Sequence, residues 1–357
     1  MARRVVLLVG AGSTVADAGS LPVKRRPPLD KGFFRSAVSA REDVASQNSI
    51  RTIQRYVKRH YGSDLLDPDT DSLEDVLARV YTDVYHHSLK DEAAHAFRTL
   101  VFLFNRRLAL TTNAIEPNRR SRLYRIICKQ LRDGVQPEDI AIVTFNYDLQ
   151  IEQTLAALQS TERWKRQGPL FAFPGSYGLD IPAENVSRPP EGADRFEVEA
   201  ALEAKVAILK LHGSLNWYSV HHSTRPSVKA MLRPTRRLWV TPRRTIHPQM
   251  TLSLGRTEYT LPLVVPPVIH KASILHERLK PLWGQAEGLL ANADHVIIFG
   301  YSCPATDYES ANLIERSMRG RSARLTIVDP NPDVMTRYVK MIRPRRCEYY
   351  PDAADFV

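Results

Sequence analysis

The residues with the means to do chemistry stand at the ends of short apolar runs. Val5-Val6-Leu7-Leu8-Val9 passes directly into Gly10-Ala11-Gly12-Ser13-Thr14. Where a helix begins, glycines without side chains let backbone N–H groups approach a phosphate. An ordinary strand-to-helix turn uses similar residues, and Val15 replaces the third glycine of the dehydrogenase fingerprint. Ile140–Thr144 runs into Phe145-Asn146-Tyr147-Asp148. On an extended chain Asn146 and Asp148 share one side, and Phe145 and Tyr147 share the other. Asp148 is also where a helix cap would stand. Val206–Leu211 ends at His212-Gly213-Ser214, placing there an imidazole, the side chain type suited to a general base near neutral pH. His295–Phe299 ends at Gly300-Tyr301-Ser302, and Leu325–Val328 ends at Asp329-Pro330-Asn331-Pro332.

Those runs lack strict alternation, as strands covered on both faces do, and long stretches between them leave room for crossover helices. The expected fold is therefore α/β, a Rossmann-like doubly wound parallel sheet with a helical insertion and long loop insertions. Ligands of such sheets bind outside the carboxyl ends of the strands, where all five polar ends would meet. We expect residues 1–357 to form a single domain, with 31–135 as the helical insertion. In it Leu73, Val76, Leu77, Val80 and Val84 share one face behind a start capped by Asp71 and Glu74. Leu123, Ile126, Ile127 and Leu131 make a second stripe, stopped at Asp133-Gly134. Residues 168–204 and 219–267, rich in Pro, Gly and Arg, read as loop or subdomain insertions. A helical pattern returns from Ala272 to Leu290, and Thr306 with Glu309 offers a capping box.

Asp30 lies at the distance of a dehydrogenase's ribose-binding acid, but Ala16–Leu29 holds three prolines and Lys24-Arg25-Arg26. Such a segment supplies neither a crossover helix nor a second buried strand, which argues against a redox enzyme. Residues 19–34 read instead as a loop crossing near the ligand.

Composition narrows the class further. With 43% hydrophobic and 25% charged residues, the 357-residue chain is an ordinary globular protein. Its formal charge of +11 would attract polyanions, so nucleic acid is a possible partner. The basic clusters, among them Arg343 to Arg346, are scattered with no nucleic-acid-binding motif beside them, and solvated faces are the simpler account of them. Cys128, Cys303 and Cys347 suggest neither disulfides nor a zinc site, which points to a reducing cytoplasm. The first apolar run is too short for a secretory signal, no segment approaches a membrane span, and no histidine shows metal-ligand spacing.

Taken in order, Gly10-Ala11-Gly12-Ser13, Thr144-Phe145-Asn146-Tyr147-Asp148, Leu211-His212-Gly213-Ser214, Gly300-Tyr301-Ser302 and Asp329-Pro330-Asn331 resemble the motifs of the sirtuin-like family. Pro27-Pro28-Leu29-Asp30-Lys31-Gly32-Phe33-Phe34 and Pro266-Pro267 with Lys271 are similar to segments of bacterial sirtuin-like proteins of anti-phage systems. The resemblance implies an NAD hydrolase, releasing nicotinamide and ADP-ribose, that acts as the toxic effector of such a system. NAD would be the substrate, and no zinc is expected, because the two cysteine pairs of protein-deacylating sirtuins are absent. Asn146 and His212 would be catalytic. Gly10, Ala11, Gly12, Ser13, Thr14, Asp148, Gly213, Gly300, Tyr301, Ser302 and Asn331 would contact the dinucleotide, with Asp30 and Asp307 as looser transfers. Homo-oligomers and a hexameric ATPase or DNA-translocase partner are the controls it implies. The alternatives are an NAD-dependent deacylase or ADP-ribosyltransferase and a non-enzymatic NAD or ADP-ribose sensor.

Overall fold

The computed structural model describes residues 3–22, 26–27, 30–40, 44–67, 72–86, 90–112, 114–161, 170–171, 175–179, 205–222, 238–240, 253–255, 258–265 and 279–357. Strand β1 is Val5–Val9, followed by the short helix α1 (Ala11–Asp17). Helices α2 (Phe33–Ala40), α3 (Val44–Tyr61), α4 (Leu73–His86), α5 (Lys90–Thr112) and α6 (Arg122–Arg132) come next. Then follow β2 (Ile140–Thr144), α7 (Gln150–Gln159), β3 (Ala207–Lys210), β4 (Gly213–His222), β5 (Leu238–Val240), β6 (Ser253–Gly255) and β7 (Glu258–Val264). The chain closes with α8 (Lys280–Ala291), β8 (His295–Phe299), α9 (Tyr308–Met318), β9 (Arg324–Val328), α10 (Pro332–Ile342), β10 (Arg346–Tyr350) and α11 (Ala353–Phe356).

Six strands form one parallel sheet in the order β10-β9-β8-β1-β2-β3. Numbered along the chain this is 3-2-1-4-5-6, the doubly wound Rossmann order, whose direction of winding reverses between β1 and β8. Every residue of β1, β2 and β8 is buried, which explains their unbroken apolar character. The register is level: Val9 lies opposite Thr144 and Phe299, and Phe299 opposite Val328. The polar residues that follow these strands therefore emerge along one edge.

Helix α4 buries Leu73, Val76, Leu77, Val80 and Val84, and α6 buries Leu123, Ile126, Ile127 and Leu131, as their periodicity predicts. Helix α6 ends at Gly134, which takes the left-handed φ of +88°. At the start of α4, Ser72 is the cap, its Oγ accepting the Asp75 N–H at 3.1 Å. Asp71 lies outside the described residues. Helix α9 starts at Tyr308 with Asp307 in the cap position, so the box expected from Thr306 and Glu309 does not form there. Of the pattern expected from Ala272, only the part that forms α8 is described.

β10 and β4–β7 add five strands to the five expected from the apolar runs. β10 was not expected, because an edge strand reading Arg-Cys-Glu-Tyr-Tyr is half-buried and lacks an apolar run. Strands β4–β7 form a second, antiparallel sheet in the order β5-β4-β7-β6; it begins at Gly213, ahead of the 219–267 segment read as a loop or subdomain insertion, and β5, β6 and β7 fall within that segment. Gly213, at φ +87°, turns the chain out of β3 into this second sheet. Among the described residues, no helix is long and apolar enough to cross a membrane.

Candidate functional site

The switch point is closed by backbone. Gly10 donates its N–H to the carbonyl of Phe299 at 3.1 Å, and Gly12 donates to Gly300 at 2.8 Å. A Cβ on Gly10 would stand 2.5 Å from Tyr301 Cβ, and one on Gly12 would stand 2.8 Å from Gly300 O. The glycines are thus required by the packing of the loop after β1 on the loop after β8. The N–H groups of Gly12 and Ser13 are bonded within the protein, the latter to Gly10 O at 3.0 Å. Ala11, at the exposed start of α1, faces the open side of the turn.

From this turn a polar chain runs to β2. Asn146 donates through Nδ2 to Gly10 O at 2.9 Å and to Thr14 Oγ1 at 3.2 Å. Thr14 in turn donates to Asp148 Oδ2 at 2.7 Å, while Asp148 Oδ1 accepts the Gln150 N–H at 3.0 Å. Asp148 therefore both accepts the N–H of the first residue of α7 from just ahead of its cap residue, Leu149, and ends the polar chain. Burial raises its carboxyl above the usual range, opposed by the Lys210 cation and the Thr14 hydroxyl.

Beneath these residues lies a charge that sequence reasoning overlooked. Lys210, wholly buried, bonds through Nζ to the carbonyl of Asp148 and to Glu152 Oε1, the latter at 2.9 Å. Tyr177 donates to the same Glu152 oxygen at 2.9 Å, and Asn216 donates to the Tyr177 hydroxyl at 3.1 Å. Leu215 N–H reaches Tyr147 O at 2.9 Å. These bonds tie the turn after β2 to the turn after β3. A lysine inside Ala-Ile-Leu-Lys-Leu was the available signal, because a buried strand carries a cation only with a partner.

His212 is buried, its ring centroid 5.1 Å from that of Phe145 and 6.2 Å from those of Tyr147 and Trp283. Phe145 also stacks on Tyr301, with centroids 4.2 Å apart. A cavity of about 180 Å³ opens beside these rings, walled by Phe33, Phe104, Phe145, Tyr147, Leu73, Leu108, Pro27, Val15 and Ala11. Thr14, Asp30, Asn146 and Asp148 supply its polar lining. Thus Ala11, Thr14, Asp30, Asn146 and Asp148 meet at one cavity. His212 is not among its lining residues, but packs on Phe145 and Tyr147, which are.

Asp30 has a second engagement. Its Oδ1 accepts the Glu74 N–H at 2.8 Å and its carboxylate takes the Ser72 hydroxyl at 3.0 Å, which staples the loop to the start of α4. Asp307 is buried and accepts from the hydroxyls of Tyr301 and Ser310, each at 2.8 Å. It fixes Tyr301 from behind. Asn331 caps α10 by accepting the Asp333 N–H at 3.0 Å. Ser302 and Asn331 are exposed at the same sheet edge, beyond β8 and β9. Pro28, Leu29, Pro266, Pro267 and Lys271 lie outside the described residues. Among the described residues, no group of three or more His, Cys, Asp or Glu side chains is placed to hold a metal.

No protein-family model matches the chain, and no curated protein matches it. Solved structures do. A Sir2 homolog–NAD complex is 13% identical, with 99% of this chain and 85% of that one covered and a TM-score of 0.39. A sirtuin solved to explain substrate affinity is 12% identical over 100% of this chain and 92% of that one, with a TM-score of 0.38. Sir2Tm bound to a propionylated peptide is 12% identical over 99% and 90%, with a TM-score of 0.35. These are remote likenesses, and the Rossmann order stands on its own hydrogen-bonded register.

Proposed function

We propose that the chain cleaves the nicotinamide–ribose bond of NAD. The observation that carries this reading is a cavity in which Phe33, Phe104 and Phe145 form apolar walls while Asn146, Asp148 and Thr14 present polar atoms. A nicotinamide ring is flat and aromatic and bears one carboxamide. It needs apolar faces and a partner for its amide, and a dinucleotide lies at the switch point of a Rossmann sheet. The Asp148 carboxyl would take the carboxamide. The turn Gly10 to Thr14 would lie against the diphosphate with Ala11 on its open side, and Ser302 and Asn331 would contact the adenosine half.

Water is the acceptor in the leading reading. Its oxygen attacks the ribose C1′ as the C1′–N bond breaks through an oxocarbenium-like state. Neutral nicotinamide departs with the bonding pair, ADP-ribose remains and one proton is released. Asn146 would hold the water or the ribose, and His212 would bind the ribose hydroxyls and accept that proton. Such a reaction left unchecked would drain a cell of NAD. We therefore extend the proposal to a cytoplasmic toxic effector of an anti-phage system, held in check through homo-oligomers or an ATPase partner.

An acyl-lysine is the second acceptor to test, since Sir2Tm was solved with a propionylated peptide. It would use the same NAD site. Three cysteines are too few for the two cysteine pairs of a deacylase's zinc module, which favours water. The deciding experiment follows NAD and nicotinamide by chromatography with and without an acylated peptide. Nicotinamide with ADP-ribose supports hydrolysis; O-acyl-ADP-ribose supports deacylation. Binding without release would leave only a sensor, and full turnover in both Asn146→Ala and His212→Ala would sink the site assignment.

A further inference from the structure

The edge of the sheet opposite the NAD site carries a cluster of arginines. The turn between α9 and β9 reads Arg319-Gly320-Arg321-Ser322-Ala323-Arg324, and the turn between α10 and β10 reads Arg343-Pro344-Arg345-Arg346. The two turns are one surface: Gly320 donates its N–H to Ile342 O at 3.1 Å, and Arg324 pairs with Arg346 across the ladder. Arg321, Arg343 and Arg345 are exposed and make no ion pair among the described residues. Arg4, also exposed, precedes β1 on the same edge.

The nearby acids are engaged: Glu315 pairs with Arg319, Glu348 accepts from Arg324 and Arg346, and Asp294 accepts the Arg4 backbone N–H at 2.9 Å. A helix C-terminus favours one cation, which accounts for Arg319 after α9 and Arg343 after α10 but not for six arginines in two short turns. Arg343 carries a further sign. It caps α10 at φ +53°, a left-handed conformation in which glycine is the default residue. A side chain is retained where the backbone prefers none.

We propose that this edge is a binding surface for the phosphodiester backbone of a nucleic acid. The start of β1 and the starts of β8, β9 and β10 lie about 4.8 Å apart in succession, so the arginines span about 14 Å of edge. A row of that length meets several consecutive phosphates. Guanidinium groups bind phosphate in bidentate fashion, and the chain uses 38 Arg against 12 Lys. With the cations set by backbone position and no aromatic side chain among these turns, the contact would follow phosphate rather than base sequence. The surface lies beyond the catalytic edge and is independent of which acceptor the NAD site uses.

The test is binding of a labelled 30-base-pair DNA duplex and a 30-nucleotide single-stranded RNA to the full chain, by anisotropy from 50 to 200 mM salt. With about four phosphates neutralised, affinity is expected to fall about 100-fold across that range. Arg321→Gln/Arg343→Gln/Arg345→Gln should weaken binding at least tenfold at 50 mM salt and flatten the salt slope by about 3. Arg343→Gly should weaken binding too, without lowering the melting temperature. The relative strength of the two probes identifies DNA or RNA. The proposal is overturned if neither probe binds at 50 mM salt, if the triple variant keeps the wild-type slope, or if polyglutamate of equal charge competes as well as the nucleic acids.

Discussion

Gly12 and Gly300 face each other across the switch point, the Gly12 N–H donating to the Gly300 carbonyl at 2.8 Å. Gly300 holds φ at +62°, and a Cβ there would stand 2.2 Å from Ser13 N. Both the backbone conformation and the contact forbid a side chain. Gly300→Ala should therefore destabilise the fold by about 2–5 kcal/mol, the sum of left-handed strain and overpacking. Gly134→Ala is the control, since Gly134 also has a positive φ, +88°, but nothing within 4 Å of its Cβ position. It should cost only about 1–2 kcal/mol. Urea unfolding of both variants measures the difference, and equal losses would mean that the loop contact contributes nothing.

That contact marks the limit of what the sequence made legible. β1, β2 and β8 were readable to the residue because burial on both faces demands an unbroken apolar run. β10 was not, because an edge strand ending in Glu348-Tyr349-Tyr350 is half solvated. β4 pairs with β5 and β7 across 19 residues or more, and no local pattern records such partners, whereas β6 pairs with β7 close by in sequence, Gly255 opposite Glu258, in segments without an apolar run long enough to announce a strand. At the site, Gly10 and Gly12 read as phosphate contacts, whereas their first duty is loop packing. Asp30 read as a ligand contact, whereas it also caps α4 through Ser72 and Glu74. Cap chemistry across 40 residues leaves no local signature.

Lys210 should matter both to stability and to the proposed NAD site. Lys210→Met alone leaves Glu152 buried without its cation, which costs about 3–5 kcal/mol. Replacing both, as Lys210→Met/Glu152→Leu, removes the orphaned charge and should recover most of that loss. The Asp148 carbonyl still lacks its donor in the double variant. Nicotinamide release is therefore expected to stay at least tenfold below wild type even though the melting temperature recovers. Thermal melts beside NAD turnover separate the two effects. Recovery of both together would make the pair purely structural, and recovery of neither would place Lys210 in a larger network than these bonds describe.

His295 sets an acid limit on the fold. Arg3 has only donors, so its contact with His295 Nδ1 at 3.0 Å makes that nitrogen an acceptor, and Nε2–H donates to Thr326 Oγ1 at 2.8 Å. Burial, reinforced by the Arg3 and Arg324 cations, lowers the imidazole from its ordinary 6.5 to about 3. A depressed folded value means that the unfolded chain takes up the proton first. Stability from this site is complete above pH 6.5 and is lost as pH falls from there toward 3, at about 1.4 kcal/mol per pH unit. His295→Gln, which has no such proton to bind, should lose less on acidification. The gap between wild type and variant in urea unfolding free energy should therefore narrow by about 1 kcal/mol between pH 6.5 and 5.5. A gap that stays constant would show that His295 is already protonated in the folded protein, or that it stays neutral in both states.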